Sequence, residues 1–353
     1  MSFSAAIVGA SGFTGGELLR LLLGHPSIEA AQITSRRLAG HPVHRAHPHL
    51  RGLSDLVFEP AEDVRACDVA FLCLPHGEAQ REIDRYLGLA RVVVDLSADF
   101  RLRDAGEYEA WYGEAHARPD LLGRAVYGLC ETSRGRIREG GEAERGSDRA
   151  RLISGVGCNA TAMILALLPL ARAGLVRRAI ADLKVGSSEG GAKATDASHH
   201  PIRAGATRTY SIGGHRHLAE VRQALGADID VDATVTSIEL VRGVLCTAHV
   251  EPTRPVDERE VRRLYREAYE REPFVRIVSE RSGLHRLPDP KVVVGSNFAD
   301  VGFGVDARSG RIVALCAIDN LVKGAAGSAI QAANVAFGLD ETAGLRTPGL
   351  FPA

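Results

Sequence analysis

The chain has 353 residues, of which 45% are hydrophobic and 25% charged, an ordinary balance for a globular protein long enough for two domains. Its 43 Lys and Arg residues balance 44 Asp and Glu residues, and only 5% of the residues are aromatic. These values give no support to a nucleic-acid-binding or membrane-binding surface. The N-terminus has no basic signal region, and no apolar run approaches the roughly 18 residues of a membrane span. We therefore expect a soluble, cytoplasmic protein.

The six cysteines are widely spaced and include no C-x-x-C pair; they are Cys67, Cys73, Cys130, Cys158, Cys246 and Cys316. This spacing indicates neither a disulfide framework nor a zinc ribbon. It fits a reducing compartment, in which a reactive thiol can persist.

Residues 4–9 predict a first buried parallel strand, and a helix with leucines at helical spacing follows it. The turn between them has the pattern G-x-x-G-x-x-G. Such a turn lets a pyrophosphate approach the backbone at a helix N-terminus, which is typical of dinucleotide-binding domains. The predicted cofactor ligands in this turn are Gly9, Ser11, Gly12, Phe13, Thr14 and Gly15.

The second predicted strand ends at Ile33 and is followed by Ser35, Arg36 and Arg37. Domains that bind NAD carry an acidic residue near this position, which hydrogen-bonds the ribose. A serine and two arginines suit a 2′-phosphate instead. We therefore favour NADP(H) as the cofactor over the alternative of a solvated basic loop.

Residues 68–77 and 92–101 predict two further buried parallel strands, each ending in polar or small residues at its carboxyl end. Pro75 and Ser97 lie at these ends and are predicted to contact the cofactor. The stretch 133–151 is rich in glycine and charge, and we predict an exposed, mobile loop there.

A strand-like run at Leu152 and Ile153 enters a glycine-rich turn, from which a helical pattern leaves. Cys158 lies where the strand ends and the helix begins. Unpaired N–H groups and the helix dipole favour the thiolate at such a position. The alternative is an inert buried cysteine, which is a common feature of protein cores.

The pattern changes after this helix. Strands are predicted at 181–188, within 232–250 and at 310–318, and a charged amphipathic helix at 257–271. They indicate an α+β domain on a mostly antiparallel sheet. A last helix rich in small residues is expected to return to the first domain. The predicted divisions are 1–157 for the NADP-binding domain, 158–317 for the catalytic and oligomerisation domain, and 318–353 for the returning segment.

A nicotinamide cofactor and a thiolate together suggest one reaction, in which the thiolate attacks an activated acyl carbon and a hydride reduces the thioester to an aldehyde. His215 and His217 are candidates for the acid or base. Their spacing also suits a metal, and His199–His200 lies nearby, so a zinc hydrolase is an alternative, as is a helix-capping role. We predict no metal. The predicted ligands of substrate or phosphate are Arg101, Asn159, Ser187, His199, Arg203, Arg208, His215 and Arg216.

Over nearly its whole length the chain resembles the N-acetyl-γ-glutamyl-phosphate reductase family, a branch of the aspartate-semialdehyde dehydrogenase-like enzymes. The matching stretches are 9–18, 74–77, 95–101, 127–129, 157–158, 214–217, 295–298 and 317–327. The resemblance implies a two-domain α/β protein, with an N-terminal Rossmann NADP-binding domain and an α+β substrate and dimerisation domain. It also implies an NADPH-dependent acyl-phosphate reductase in which Cys158 is the nucleophile and His217 the acid or base, with His215 left open. Asn320, Ser188 and Gly190 are then further cofactor contacts.

Several stretches depart from the usual pattern of this family. Asn159–Ala160 replaces Tyr-Pro after the cysteine, and residues 187–191 replace a Ser-Gly-Ala-Gly turn. These departures resemble the lysine-biosynthetic branch, whose substrate is an aminoadipate 6-phosphate attached to a small acidic amino-group carrier protein. Arg203, Arg208 and Arg216 would then form part of a docking surface.

Other functions remain open from the sequence. The protein could reduce free N-acetyl-γ-glutamyl phosphate, or it could reduce substrates attached to both the lysine and the arginine carriers. It could also be a non-catalytic NADP-binding regulator. We expect a homo-oligomer, either a dimer or a tetramer.

Overall fold

The computed structural model describes residues 2–139 and 150–352. The chain forms two compact units. The first contains Met1–Val156 and Ala325–Arg346, and the second contains Gly157–Gly324 and Thr347–Ala353. The expected C-terminal segment 318–353 is thus divided between the two units.

The first unit is built on a six-stranded, wholly parallel sheet with the strand order β2-β1-β3-β4-β6-β5. Its strands are β1 (Phe3–Val8), β2 (Ile28–Ile33), β3 (Cys67–Leu72), β4 (Ala90–Asp95), β5 (Val126–Tyr127) and β6 (Arg151–Ser154). The central strands are buried along nearly their whole length because helices cover both faces of a parallel sheet. The predicted Rossmann domain is confirmed, and the carboxyl ends of its strands share one edge.

The helices of this unit are α1 (Phe13–Leu22), α2 (Ala79–Leu89), α3 (Ala105–Tyr112), α4 (Pro119–Leu122), α5 (Cys130–Arg138) and, from the end of the chain, α11 (Gly327–Ala336). Nine of the ten residues in α11 are buried, because its alanines and glycine let neighbouring backbones approach closely. The small-residue pattern therefore marks a helix that does return to the first unit.

The loop predicted at 133–151 is wrong at both of its ends. Residues 133–138 belong to α5, in which Ser133 and Ile137 are buried four residues apart, and Arg151 begins β6. The charged residues that suggested a loop include the solvent side of this helix, where few apolar residues are needed. Residues 140–149 lie outside the described part of the chain.

The second unit is built on a seven-stranded mixed sheet with the strand order β11-β12-β13-β10-β7-β9-β8. Its strands are β7 (Val176–Val185), β8 (Arg208–Ile212), β9 (Asp230–Ser237), β10 (Val244–Pro252), β11 (Val275–Ile277), β12 (Ala299–Val305) and β13 (Ile312–Ile318). Four of its six pairings are antiparallel, as expected. Strands β8, β11 and β12 were not predicted.

The helices of the second unit are α6 (Cys158–Arg172), α7 (His200–Arg203), α8 (His217–Leu225), α9 (Glu258–Tyr269) and α10 (Pro290–Val293). Twelve of the fifteen residues of α6 are buried. Tyr265 and Tyr269 of α9 donate their hydroxyls to carbonyls of α6 at 2.5 and 2.6 Å, which ties the two helices together. These contacts fix the middle of the helix whose first residue is Cys158.

No helix in the described ranges is both long enough and apolar enough to cross a lipid bilayer.

Candidate active site

The glycine-rich turn of the first unit has the conformation that its sequence predicts. Gly9 has a φ of +78°, and a Cβ atom there would lie 2.4 Å from the carbonyl oxygen of Cys73. A Cβ at Gly15 would lie 2.6 Å from the Cα of Ala10, whereas the nearest described atom to a Cβ at Gly12 would be the carbonyl oxygen of Gly9, at 3.9 Å. Within the described residues no side chain caps α1 at Gly12, so its first N–H groups are suited to an anion.

The predicted 2′-phosphate residues lie at the end of β2, but they differ in their contacts. The Ser35 hydroxyl donates to Ser11 Oγ at 2.9 Å and so joins the end of β2 to the glycine-rich turn. Arg36 pairs with Glu78 at 2.7 Å and Glu82 at 2.8 Å. An incoming phosphate would therefore compete with two carboxylates for Arg36.

The ends of β3 and β4 are held together by buried carboxylates. The Ser97 hydroxyl donates to Asp95 at 2.8 Å, and Asp99 accepts the N–H of Gly77 at 2.8 Å. Burial and the charge of Asp99 raise the pKa of Asp95 to about 7. The guanidinium of Arg101 donates to the carbonyl oxygen of Ser97 at 2.9 Å. Ser97 and Arg101 thus have structural contacts within the first unit, Pro75 beside them is exposed, and their predicted ligand roles stay predictions.

In the second unit, Cys158 is the first residue of the 15-residue helix α6, with Gly157 as its N-cap. The side chain is partly exposed. Its Sγ donates to Glu189 Oε1 at 3.0 Å. The nucleophile candidate therefore lies at an accessible helix N-terminus and not in a sealed core.

His217 and Glu220 pack against the glycine that precedes the thiol. The Gly157 N–H donates to Glu220 Oε2 at 2.9 Å. A Cβ at Gly157 would lie 2.5 Å from Glu220 Oε1 and 2.9 Å from His217 Nε2, so a larger residue there would displace these side chains. Glu220 Oε1 also lies 3.9 Å from His217 Nε2. The imidazole of His217 is thus held against Gly157, the residue that precedes Cys158 in the sequence.

His215 has a different position from His217. Its Nδ1 accepts the His217 N–H at 3.2 Å, and the two rings meet edge-on with centroids 4.6 Å apart. Burial and the charge of Arg216 lower the pKa of His215. His215 supports the first turn of α8, whereas the ring of His217 faces Gly157.

Glu189 gathers hydrogen bonds from three side chains at the active-site thiol. Besides Cys158, its carboxylate accepts the Tyr210 hydroxyl at 3.3 Å and the Asn159 amide at 3.4 Å. Asn159 is buried, and its Oδ1 has no hydrogen-bond partner in the described structure. An amide with an unused acceptor at this position supports the predicted contact with substrate.

A second glycine contacts the thiol-bearing residue. Val322–Ala326 forms a π-helical turn, and a Cβ at Gly324 would lie 2.7 Å from the Cβ of Cys158. Just before it, Asn320 accepts the N–H of Gly243 and donates to Ser188 Oγ, both at 2.8 Å. Asn320 and Ser188, two predicted cofactor residues, therefore hydrogen-bond to each other. Both the oxygen and the nitrogen of the Asn320 amide have partners.

The remaining predicted ligands lie on the surface of the second unit, in the turn at Ser187 and Gly190 or in the segment from His199 to Arg216. Arg203 donates to the carbonyls of Ile238 and Leu240, and Arg208 donates to the carbonyl of Ala197 at 3.1 Å. Within residues 2–139 and 150–352, no group of three or more His, Cys, Asp or Glu side chains could hold a metal ion.

Sequence reasoning missed four residues of the site: Glu189, Tyr210, Glu220 and Gly324. Glu220 follows His217 by three residues on a helix, a spacing that could have identified it. Glu189 lies inside the stretch 187–191 that departs from the reductase pattern. Tyr210 belongs to an exposed edge strand and Gly324 to a π-helical turn, and neither carries a signal in the residue pattern.

Two family models match the chain. The "Semialdehyde dehydrogenase, NAD binding domain" matches residues 4–140. The "Semialdehyde dehydrogenase, dimerisation domain" matches residues 158–320. Together they cover both structural units.

Solved structures share the fold. The chain of aspartate semialdehyde dehydrogenase II from Vibrio cholerae superposes with a TM-score of 0.72 at 17% identity, over 96% of this chain and 99% of that one. The Candida albicans aspartate semialdehyde dehydrogenase with NADP gives 0.67 at 16% identity, over 94% and 98%. At this identity the likeness shows the fold alone.

Curated relatives are much closer in sequence. A Thermomicrobium roseum protein, provisionally named LysW-L-2-aminoadipate 6-phosphate reductase, is 51% identical over 100% of both chains. The LysW-L-2-aminoadipate/LysW-L-glutamate phosphate reductase of Saccharolobus solfataricus is 46% identical over 99% of this chain and 98% of its own. Full-length identity at this level, on a semialdehyde dehydrogenase fold with a cysteine at the helix N-terminus, places the chain in the family of the LysW-L-2-aminoadipate phosphate reductases.

Proposed function

We propose that this protein reduces the 6-phosphate of an L-2-aminoadipate attached to a carrier protein, yielding the semialdehyde and inorganic phosphate, with NADPH as reductant. The observation that carries the proposal is the position of Cys158 at the N-terminus of α6, with His217 packed on the adjacent Gly157. A thiol at a helix N-terminus beside an imidazole suits covalent catalysis on an acyl phosphate. The names of the relatives point to the lysine pathway and to LysW as the carrier.

The chain's own residues account for the acyl-transfer half of the reaction. The sulfur of Cys158 attacks the acyl carbon and phosphate departs, which leaves a thioester on the enzyme. N–H groups at the start of α6 favour the negative charge that develops there. His217 then holds or supplies the proton at the oxygen of the former carbonyl, and Glu220 keeps the ring oriented.

The residues of the first unit fit a phosphorylated dinucleotide. The uncapped start of α1 at Gly12, where an added Cβ would come no closer than 3.9 Å to a described atom, suits a pyrophosphate. Ser11, Ser35 and Arg37 suit a 2′-phosphate. Bound NADPH supplies the hydride that brings the thioester to the aldehyde level.

A carrier-linked substrate needs a surface that recognises the carrier. The basic side chains of Arg203, Arg208 and Arg216 fall within a short segment of the second unit, and Arg216 is close enough to Glu189 to influence its ionisation. An acidic carrier would be attracted to this segment, mainly through a faster association rate.

A homo-oligomer is also part of this proposal. One face of the seven-stranded sheet carries α6, while the alternate residues on the other face are half-exposed, among them Ile180, Leu245, Thr247 and Leu315. A sheet face with aliphatic side chains suits association with a second copy. We place the enzyme in the cytoplasm, because a catalytic thiol persists in a reducing compartment.

The test compares three acyl phosphates under identical conditions: carrier-linked aminoadipyl phosphate, carrier-linked glutamyl phosphate and free N-acetyl-γ-glutamyl phosphate. Oxidation of NADPH is followed by absorbance. We expect the highest kcat/KM with carrier-linked aminoadipate. Equal or higher efficiency with the free acetylated substrate would overturn the carrier assignment. Cofactor binding without turnover of any of the three would indicate a non-catalytic regulator.

A further inference from the structure

The carboxylate of Glu189 is hydrogen-bonded directly to the attacking sulfur atom. Its Oε1 accepts the hydrogen of Cys158 Sγ at 3.0 Å, while Glu220 contacts the backbone of Gly157. Glu189 Oε2 is held by Tyr210 and Asn159, which fixes the carboxylate relative to the sulfur. Glu189 and Glu220 thus have different partners, Cys158 and Gly157, at the N-terminus of α6.

The environment of Glu189 suits a group that exchanges a proton. Burial raises the pKa of the Glu189 carboxyl, and the hydrogen bonds from Cys158, Asn159 and Tyr210 together with the charge of Arg216 offset this only in part. A carboxyl with a raised pKa is a better match to a thiol than an ordinary exposed one, so proton transfer between them is less uphill.

Building on the proposed function, we propose that Glu189 is a second catalytic acid–base, which takes the proton from Cys158 and returns it to the departing phosphate. The S–H bond breaks as the proton moves to Glu189 Oε1, and the sulfur electron pair forms the bond to the acyl carbon. The bond from that carbon to the phosphate oxygen then breaks, and its electron pair stays with the oxygen. Glu189 donates the proton to this oxygen, so that hydrogen phosphate leaves and the carboxylate is restored.

Geometry supports both transfers by one group. In the tetrahedral intermediate the leaving oxygen is two bonds from the sulfur, so a carboxyl within hydrogen-bond distance of the sulfur is also within reach of that oxygen. The leaving phosphate needs this proton because an acyl phosphate would otherwise release a fully ionised phosphate. His217, which packs on Gly157, is then available to hold or supply the proton at the carbonyl oxygen.

The experiment measures turnover of carrier-linked aminoadipyl phosphate and, separately, the rate at which iodoacetamide alkylates Cys158, read by mass spectrometry. Alkylation needs the thiolate but no proton for a leaving phosphate. For Glu189→Gln we expect kcat to fall by about 10²–10³-fold. We expect the alkylation rate at pH 9.5, where hydroxide instead of Glu189 ionises the thiol, to stay within about threefold of the wild type. Added formate is expected to restore part of the turnover of Glu189→Ala.

The matched control is Glu239→Gln, the same substitution at an exposed carboxylate of the loop after β9, for which we expect wild-type turnover. Turnover of Glu189→Gln within threefold of the wild type would overturn the inference. So would a parallel loss of turnover and alkylation, because this would indicate a structural role for Glu189. A wild-type enzyme that fails to turn over the carrier-linked substrate would instead contradict the proposed function.

Discussion

The turns that precede α1 and α6 share a strand–turn–helix plan, but they leave different groups at the helix N-terminus. In the first, an added Cβ at Gly12 would come no closer than 3.9 Å to a described atom, and no described side chain caps the helix. In the second, the N–H and Cα of Gly157 are covered by Glu220 and His217, and the next residue carries a thiol. The same local fold can therefore bind an anion or support covalent chemistry, depending on the side chains that surround its glycines.

Replacing the thiol should give the largest effect. We expect Cys158→Ser to lower kcat by at least about 10⁴-fold, because a hydroxyl is a far weaker nucleophile at neutral pH. NADPH binding, measured by fluorescence titration, should stay within twofold of the wild type, because the binding turn belongs to the first unit. Substantial phosphate-dependent NADP reduction by this variant would rule out the covalent mechanism.

Removing the imidazole tests the second turn in another way. We expect His217→Gln to lower kcat by about 10²–10⁴-fold with a small change in KM, since the ring acts on a proton in the transition state. His215→Gln is the matched comparison, and its smaller expected loss reflects a contact with the His217 backbone. Equal losses of kcat in the two variants would contradict a specific acid–base role for His217.

A pair of glycine substitutions separates the two turns directly. Gly9→Ala places an Ala at a φ of +78° against the carbonyl of Cys73, and we expect about tenfold weaker NADPH binding with normal alkylation of Cys158. Gly324→Ala crowds Cys158 and should cost about 1–3 kcal/mol of stability and slow alkylation, with NADPH binding retained. Gly304→Ala, with no described atom within 4 Å of its Cβ, is the control. Loss of both NADPH binding and Cys158 alkylation in either variant would contradict the assignment of each property to a different turn.

The buried carboxylates of the first unit should make the stability of the protein depend on pH. Because the pKa of Asp95 is raised to about 7 in the folded protein, the native state holds a proton that the unfolded chain loses near pH 4. The free energy of unfolding should therefore fall as pH rises to about 7, by up to about 1.4 kcal/mol per unit. Asp95→Asn should flatten this slope in urea unfolding between pH 5 and 7.5, whereas Asp228→Asn, at an exposed surface position, should keep it. An unchanged slope in Asp95→Asn would show that another group carries it.

The sequence predicts the elements that depend on local patterns. Buried strands, the glycine-rich turn and the helix beginning at Cys158 all follow from hydrophobic periodicity and glycine placement, and all are present. The helix α5 was missed because its charged residues mask buried positions such as Ile137. The strand β8 was missed because an exposed edge strand has no buried face to create alternation.

The site is less predictable than the fold. Cys158 and His217 stand in motifs, whereas the contact between Glu189 and the thiol joins the turn after β7 to the start of α6, 31 residues away. Such a contact depends on how the strand packs on the helix, which periodicity does not encode. The close approach of Gly324 to Cys158 is unpredictable for the same reason, because it depends on a π-helical turn that the residue pattern does not predict.

The division of the C-terminal segment has a consequence for how the protein is made. Residues 325–346 complete the first unit, and residues 347–353 belong to the second, where Leu350 donates its N–H to Val294 and Gly349 lies against Val292. The first unit therefore lacks helix α11 until residues 325–346 have been made, although domains often fold during synthesis. A chain that stops before residue 325 would thus lack parts of both units.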